Sequence, residues 1–199
     1  METFDPKYQN QHIESKIVVA LERVSEAFKV LLWQKGKENA LTPIQLQILL
    51  FVHFHLPEKC KVNYLAKEFN VTKATISESI RLLLKKNLIL KETDPSDTRS
   101  FFIYLTEKGK TTVQRTSSFA HPIEKPIHSF SEEQKRILFQ SLLELIEKLN
   151  KAGIVNVQRM CTSCRFYESG SENDYCRLLE KRLYQKDLRI DCPEHQMAS

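Results

Sequence analysis

The sequence predicts a mainly helical fold with one small two-stranded sheet. Only four glycines occur among 199 residues, so few tight hairpins are expected. Apolar residues recur at steps of three and four over most of the chain, which is the period of an amphipathic helix. Residues 88–105 differ, because two apolar runs flank a turn-rich stretch there and indicate a β-hairpin.

A long N-terminal helix is predicted from Ile13 to near Gly36. Its apolar stripe consists of Ile13, Ile17, Leu21, Val24, Phe28 and Leu31. A second stripe lies near the other chain end, after a capping box of Ser131 and Gln134. It consists of Leu138, Leu142, Leu145 and Leu149. Such stripes are usually the core of a monomer, but these two have few compact partners in a chain of this size, so a two-fold homodimer interface is expected to cover them.

Residues 62–86 contain the signals of two helices joined by a short turn. Asn63 can cap the first helix, and Asn70 and Val71 supply the turn. Thr72 can cap the second helix, and Asn87 can end it in a left-handed conformation. The buried stripe of the second helix is Ile76, Ile80, Leu83 and Leu84. Two short helices with a polar outer face on the second describe a helix-turn-helix.

A further helix precedes the helix-turn-helix, and the β-hairpin follows it. The preceding helix opens with a capping box of Thr42 and Gln45 and stops before Pro57. The hairpin strands are 88–90 and 101–105, with "TDPSDTRS" at the tip. A helix-turn-helix followed directly by a hairpin is a winged helix.

After the hairpin the chain is expected to return to helices. Thr106 and Glu107 open one, and Pro122 and Pro126 should break it. Four regions are therefore predicted: an N-terminal dimerisation helix in 1–40, the winged helix-turn-helix in 41–110, C-terminal dimerisation helices in 111–155 and a cysteine-rich tail in 156–199.

Three stretches carry a family resemblance: "LTPIQLQILL", "LAKEFNVTKATISESIRLLLKKNLI" and "DPSDTRSFFIYLTEKGK". They resemble the MarR-type winged-helix transcription regulators, and the likeness runs from about residue 12 to 151. Asp97 and Arg99, followed by Leu105, Thr106 and Gly109, are similar to the wing signature of that family. The chain departs from the family in having Asn at position 87, where Gly is common, and in its tail from 161 onward.

The resemblance implies a homodimer that binds double-stranded DNA. Outer helices from both chain ends would form the interface, and two recognition helices would enter successive major grooves. The resemblance also implies a small-molecule effector that binds between the dimer helices and the winged helix.

The outer face of the second helix carries the residues expected to approach DNA. They are Thr72, Lys73, Thr75, Ser77, Glu78 and Arg81, with Arg99 at the wing tip. Arg81 can pair with guanine or phosphate, and the Glu78 carboxylate can accept a hydrogen bond from cytosine N4. Thr72 lies where free amides attract a phosphate, and Arg99 suits a narrow minor groove. The alternative is that Glu78 and Arg81 form only a surface pair, and that Arg99 only ties down the wing.

Four of the five cysteines lie in the tail, in "CTSCRFYESGSENDYC" and "DCPEH". Cys161 and Cys164 are separated by two residues, a spacing that places two thiolates beside one cation, and Cys176 and Cys192 can close a tetrahedron. Structural zinc is favoured, with His195 as a substitute ligand. An iron–sulfur cluster on the same four cysteines is the alternative, which would make the tail a sensor. A disulfide scaffold is a third alternative, although cytoplasmic thiols are normally reduced.

Charge is unevenly distributed along the chain. The formal charge is +5, and residues 161–199 hold six Lys or Arg against seven Asp or Glu, so a DNA-facing surface is expected before the tail. No signal sequence or membrane-crossing run is visible, so a cytoplasmic location is expected. No motif indicates an enzyme. The chain is therefore predicted to be a regulator of a pseudo-palindromic operator, with repression favoured. The rival is a redox or metal-handling protein whose winged helix mediates protein contacts.

Overall fold

The computed structural model describes residues 2–156, 159–170 and 173–198. Its helices are α1 (Pro6–Gln11), α2 (Ile13–Glu38), α3 (Pro43–Phe54), α4 (Val62–Glu68), α5 (Lys73–Lys85), α6 (Glu107–Thr116), α7 (His121–His128) and α8 (Glu132–Lys151). Its strands are β1 (Ile89–Asp94), β2 (Asp97–Leu105), β3 (Tyr167–Glu168), β4 (Asp174–Cys176) and β5 (Lys181–Leu183). The mainly helical winged-helix fold is confirmed. No helix in these three ranges is long and apolar enough to cross a membrane.

Both predicted capping boxes are present. At the start of α3, the Gln45 N–H donates to Thr42 Oγ1 at 3.4 Å, and the Thr42 N–H donates to Gln45 Oε1 at 3.2 Å. At the start of α8, Ser131 and Gln134 make the same pair of bonds at 3.2 and 2.9 Å. Each box satisfies two amides that have no partner inside the helix, which fixes where the helix begins.

The turns around the helix-turn-helix use asparagines in the left-handed region. Asn70, between α4 and α5, has φ of 52°, and Asn87, after α5, has φ of 56°. The expected cap at Asn63 is wrong, because α4 already begins at Val62, with Lys61 in the extended conformation before it. Asn63 lies inside the first turn, where its side chain cannot cap the amides that follow.

One apolar core lies behind α5. Nine of its side chains are almost completely buried: Leu46, Ile48, Leu49, Leu65, Ile76, Ile80, Leu83, Ile103 and Val113. They come from α3, α4, α5, β2 and α6, so the winged helix has a common core. Cys60 joins this core, and burial raises the pKa of its thiol to about 12, with Glu58 adding to the effect. The thiol therefore stays protonated, which fits packing better than oxidant sensing.

The expected break at the prolines of α7 is only partly correct. Pro122 stands in the first turn, where no N–H is needed, and so it starts the helix. Pro126 lies inside α7 instead of ending it. Its place near the end of a short helix means that only the hydrogen bond to the carbonyl of Pro122 is lost.

The outer helices leave much of their apolar surface exposed. Along α2, Ile13, Ile17 and Trp33 have 63%, 51% and 60% of their surface accessible, and Ile137 of α8 has 51%. The core described above does not cover these side chains. Exposed apolar side chains along the whole of α2 and on α8 are unusual for a monomer and are typical of a surface that another protein covers.

The cysteine-rich tail folds as a three-stranded antiparallel sheet in the order β3-β4-β5. Its largest buried apolar side chains are Met160 and Leu183. The tail contacts α8, where Arg136 Nη1 donates to Gln185 Oε1 at 2.9 Å. The apolar pattern did not predict this sheet, because its strands are too short to show an alternation.

Candidate functional site

Helix α5 has one buried face and one exposed polar face. Ile76, Ile80 and Leu83 are fully buried, which holds the helix against the core. The residues expected to approach DNA on this helix and at its start are all exposed: Thr72, Lys73, Thr75, Ser77, Glu78 and Arg81. Thr72 also caps α5, because the Thr75 N–H donates to its Oγ1 at 3.1 Å. The structure therefore places the predicted set on one accessible side of α5.

Glu78 and Arg81 bind each other on the exposed face of α5. Arg81 Nε donates to Glu78 Oε2 at 2.8 Å, and Arg81 Nη2 donates to Oε1 at 2.6 Å. The hydrogen bond from Arg81 lowers the pKa of Glu78, so the carboxylate remains charged. Both side chains are more than half exposed. An exposed pair of this kind contributes little to stability and can exchange its partners for a ligand.

Arg99 lies at the accessible end of the wing formed by β1 and β2. Its side chain is 92% exposed, and its Nε donates to Asp97 Oδ1 at 3.3 Å. The backbone N–H of Arg99 donates to the same oxygen at 3.1 Å, so Asp97 shapes the turn as well as the side chain. The arrangement leaves the guanidinium free to reach into a groove.

A buried ion pair that the sequence analysis missed fixes the base of this turn. Lys61 Nζ, just before α4, donates to Asp94 Oδ2, and the Asp94 side chain is only 3% exposed. Ser96 donates to the other oxygen through its N–H at 2.8 Å and through its Oγ at 2.6 Å. The bond from Lys61, followed by those from Ser96, lowers the pKa of Asp94 to about 2. The wing is thereby tied to the helix-turn-helix.

An open cleft lies between α4 and the wing. Its volume is about 520 Å³, and its lining includes Lys61, Asn63, Lys67 and Arg99. Three of these side chains are basic, and Lys67 and Asn63 were not among the residues predicted to approach DNA. Sequence periodicity could have identified them, since both lie on α4 facing away from Leu65.

The surroundings of Cys161 in the cysteine-rich tail shift the pKa of its thiol. Burial raises the pKa of Cys161, the N–H of Arg189 at 3.2 Å lowers it, and the thiolates of Cys176 and Cys164 raise it again. The Cys192 Sγ donates to Glu194 Oε2 at 3.3 Å and accepts from Arg189 Nη1 at 3.6 Å. All the cysteines are free thiols.

The candidate metal ligands do not form a closed coordination sphere. Within the described ranges, no three Cys, His, Asp or Glu side chains are arranged to hold a metal ion. His195, the candidate substitute ligand, has its Nε2 hydrogen-bonded to Ser163 Oγ at 3.0 Å. Burial lowers the pKa of His195, which favours the neutral imidazole that metal binding requires.

Arg159 joins the cysteine-rich tail to the winged helix. Its residue surface is only 8% exposed. The guanidinium donates to both oxygens of Glu68 at the end of α4, to both oxygens of Asp191 in the tail, and to the Tyr64 hydroxyl at 3.1 Å. All five N–H donors of the side chain are therefore used. Its guanidinium carbon also lies 5.3 Å from the centre of the Phe51 ring.

Residues 41–100, which run from the start of α3 into β2, match the model of the MarR family. The chain carries a MarR family domain. No curated protein sequence matches the chain.

Solved structures of MarR regulators share the fold. The S. aureus MepR–DNA complex is 27% identical, with a TM-score of 0.57, over 66% of this chain and 96% of that chain. S. aureus MepR in its DNA-binding conformation is 27% identical, with a TM-score of 0.59, over 67% and 98% of the two chains. A MarR transcriptional regulator from Methanosarcina mazei Go1 is 22% identical, with a TM-score of 0.59, over 68% of this chain and 97% of that chain. A likeness at this level of identity shows the fold alone.

The MarR family domain settles the class of protein. MarR family members are transcription regulators and not enzymes, so the expectation that the chain is a non-enzymatic regulator is confirmed. The cysteine-rich tail lies outside residues 41–100 and is not part of the matched domain.

The Lys61–Asp94 pair in the MarR family domain should make stability depend on pH. Asp94 has an ordinary pKa of 3.8 and a folded pKa of about 2, so its contribution is present above the ordinary value and is lost as the pH falls toward 2. Asp94→Asn should lower the urea midpoint near neutral pH, and its difference from the parent chain should shrink in acid. Asp97→Asn, the same change at an exposed position, should have a small effect. An equal loss at all pH values would contradict this account.

Proposed function

We propose that the chain is a DNA-binding transcription regulator that acts as a homodimer on a pseudo-palindromic operator and represses transcription there. The exposed polar face of α5, beside Arg99 on the wing of a MarR family domain, carries this proposal. Two of the similar structures are a complex of MepR with DNA and MepR in its DNA-binding conformation. The expected location is the cytoplasm, where the chain would meet its operator.

Recognition would place α5 in the major groove and the wing beside the minor groove. Arg81 would exchange Glu78 for a guanine edge or a phosphate, and the freed carboxylate of Glu78 could accept from cytosine N4. The exchange is favourable because the Glu78–Arg81 pair is exposed and held only weakly. Thr72 would place the first amides of α5 near a phosphate. Lys67, in the cleft between α4 and the wing, would add a backbone contact.

The apolar stripes of α2 and α8 support the homodimer. Ile17 and Trp33 are half exposed or more, and a second copy related by two-fold symmetry would bury both of them twice. Two recognition helices held in this way would meet half-sites about 34–36 Å apart. Repression needs only that the dimer occupies promoter DNA, which makes it the simplest outcome of such binding.

A cleft between α2 and the winged helix supports a small-molecule effector. It has a volume of about 460 Å³ and lies between the end of α2 and the helices α5 and α6. Its basic lining residues are Lys37, Lys86, Lys108 and Arg115. Four cations against one carboxylate, that of Glu38, favour an acidic ligand over a neutral or basic one.

A structural zinc ion is proposed for the tail, with Cys161, Cys164, Cys176 and Cys192 as ligands. The spacing of the cysteines and the small apolar core of the tail support it, since a metal can supply the folding energy that such a core lacks. Closing the site requires the Cys192 thiol to leave Glu194, or His195 to leave Ser163. An iron–sulfur cluster on the four cysteines is the competing proposal.

Arg81→Ala and Arg99→Ala should each weaken binding to a duplex selected from genomic fragments, by about 5- to 100-fold. Loss of a base or phosphate contact is the reason, and gel shifts at two salt concentrations would measure it. Lys151→Ala, an exposed basic residue on α8, is the control and should leave affinity unchanged. Unaltered binding in both arginine variants, or binding insensitive to salt, would favour the rival in which the winged helix mediates protein contacts.

Ile17→Glu together with Trp33→Glu should convert the dimer to a monomer. The dimer would then have to bury four carboxylates in place of apolar side chains. Sedimentation equilibrium would show the change of mass. Gln114→Glu on the exposed side of α6 is the control and should leave the dimer intact. A parent chain that sediments as a monomer would refute the dimer itself.

The purified parent chain should contain one zinc per chain, and Cys176→Ser should lose it. The matched control is Cys60→Ser, since the buried Cys60 lies in the core of the winged helix and should not affect the metal. Elemental analysis of protein prepared without air gives the result. A brown protein containing iron would establish the cluster instead, and a metal-free parent chain would refute both proposals.

A further inference from the structure

The cysteine-rich tail is fixed to the end of α4. Arg159 donates to both carboxylate oxygens of Glu68, the last residue of α4, and to both oxygens of Asp191 within the tail. The Cys192 N–H donates to the Arg159 carbonyl at 3.0 Å, so the two parts of the tail that carry this cluster are also joined to each other. Because these hydrogen bonds are directed and charged, they hold the tail and α4 in one relative position.

Two further contacts fix the tail beside the helix-turn-helix. Asn156 Nδ2 donates to Asn70 Oδ1, in the turn between α4 and α5, at 2.7 Å. Lys59 Nζ, before α4, donates to the Pro193 carbonyl at 3.2 Å. Since α5 begins three residues after Asn70, at Lys73, the tail holds the segment that sets the position of the recognition helix.

The opposite side of the tail contacts α8. Leu143 of α8 is only 6% exposed, although it lies apart from the core of the winged helix. It lines a cleft together with Leu183 and Leu188 of the tail, so the tail shields it from water. Beside this contact, Arg136 Nη1 of α8 donates to Gln185 Oε1 of the tail at 2.9 Å. The tail therefore binds α4 on one side and α8 on the other.

The link through the tail supplements the covalent path between α8 and the winged helix, which runs through α6 and α7. Within residues 2–156, 159–170 and 173–198, no hydrogen bond or ion pair joins α8 directly to α3, α4 or α5. In the proposed homodimer, α8 belongs to the interface and α5 to the DNA-facing surface. The separation of the two α5 helices therefore depends on how each winged helix is held relative to α8.

We propose that the tail, by linking α4 to α8, sets the separation of the two recognition helices and makes the dimer selective for one spacing of half-sites. The proposal rests on the homodimer proposed above. A displacement of α4 relative to the tail would take Glu68 away from the buried guanidinium of Arg159, which is costly. Two-fold symmetry places the same link in the partner subunit, so both recognition helices are held in the same way.

Half-site spacing is a sensitive measure of this separation. One extra base pair moves two half-sites apart by about 3.4 Å and rotates one relative to the other by about 35°. Recognition helices held at a fixed separation then lose base contacts in one half-site, and each lost contact weakens binding about tenfold. Recognition helices that are free to shift can follow the half-sites and keep their contacts.

The test measures affinity for duplexes that differ only in half-site spacing. The parent chain first selects a duplex from a randomised library, and base pairs between its half-sites are then removed or added one at a time. The parent chain should bind the selected spacing about tenfold better than spacings one base pair shorter or longer. Glu68→Gln, which removes a charged partner of Arg159, should bring the three affinities close to equality while the protein remains a dimer in sedimentation equilibrium.

Two other variants guard against misfolding and test the α8 side of the link. Asp191→Asn, whose side chain is 44% exposed in the parent chain, takes the place of Glu68→Gln if that variant is unfolded by circular dichroism. Leu183→Ala removes the apolar contact with Leu143 and should broaden the spacing preference in the same way. Loss of the fold of the tail alone would have the same consequence, so Leu183→Ala tests the link in either case.

Glu168→Gln is the matched control. Glu168 also lies in the tail and pairs with an arginine, Arg177 at 3.1 Å, but on the exposed surface and away from α4. This variant should keep the tenfold preference of the parent chain for the selected spacing.

The ratio of affinities separates a role in positioning from a role in stability. If the variants lose affinity equally at every spacing, or keep the full preference of the parent chain, the proposal is overturned. A folded, dimeric parent chain that binds all three spacings equally also overturns it and leaves the homodimer intact. A parent chain that is monomeric or selects no duplex refutes the proposed function, and the spacing proposal with it.

Discussion

The burial of one face of α5 determines where its other face points. Ile76, Ile80 and Leu83 are fully buried, and burying side chains of this size contributes about 1.5–3 kcal/mol each. Rotating the helix by one residue would expose these side chains and bury charged ones. The surface pair of Glu78 and Arg81 is far too weak to oppose that preference. The polar face is therefore positioned by the core, and its side chains remain free to bind.

The wing depends on the same core, because an isolated two-stranded hairpin is only marginally stable in water. Two long-range contacts anchor it: the buried pair of Lys61 and Asp94, and the bond from the Ile103 N–H to the Cys60 carbonyl at 3.1 Å. Both contacts come from the residues just before α4. A change in the position of α4 is therefore transmitted to the wing as well as to α5.

Local chemistry explains which elements the sequence could predict. The capping boxes at Thr42 and Ser131 and the left-handed Asn87 act within a few residues, so they are visible in the sequence itself. The continuation of α7 through Pro126 was missed because a proline near a helix end costs only one bond. The four predicted regions, the DNA-binding residues, the dimer and the metal ligands remain predictions.

Contacts between distant residues could not be predicted in this way. Asp94 lies 33 residues from Lys61, and Glu68 lies 91 residues from Arg159, so no periodic pattern relates the partners. Charged residues are also common on surfaces, and nothing in the sequence separates the buried ones from the rest. The cysteine spacing suggests a set of ligands, but the position of Cys192 depends on how the tail contacts the winged helix.

The energetics of Arg159 indicate why the tail is attached through it. Burying a guanidinium costs several kcal/mol of hydration, and its two carboxylates largely offset that cost without a large net gain. An apolar contact of the same size would hold the tail at least as firmly. What the ionic cluster adds is geometry, because five directed hydrogen bonds are satisfied together only when α4 and the chain before Cys192 take one relative position. A contact with that property is sensitive to small displacements of either partner, which is the requirement for the tail to influence the recognition helix.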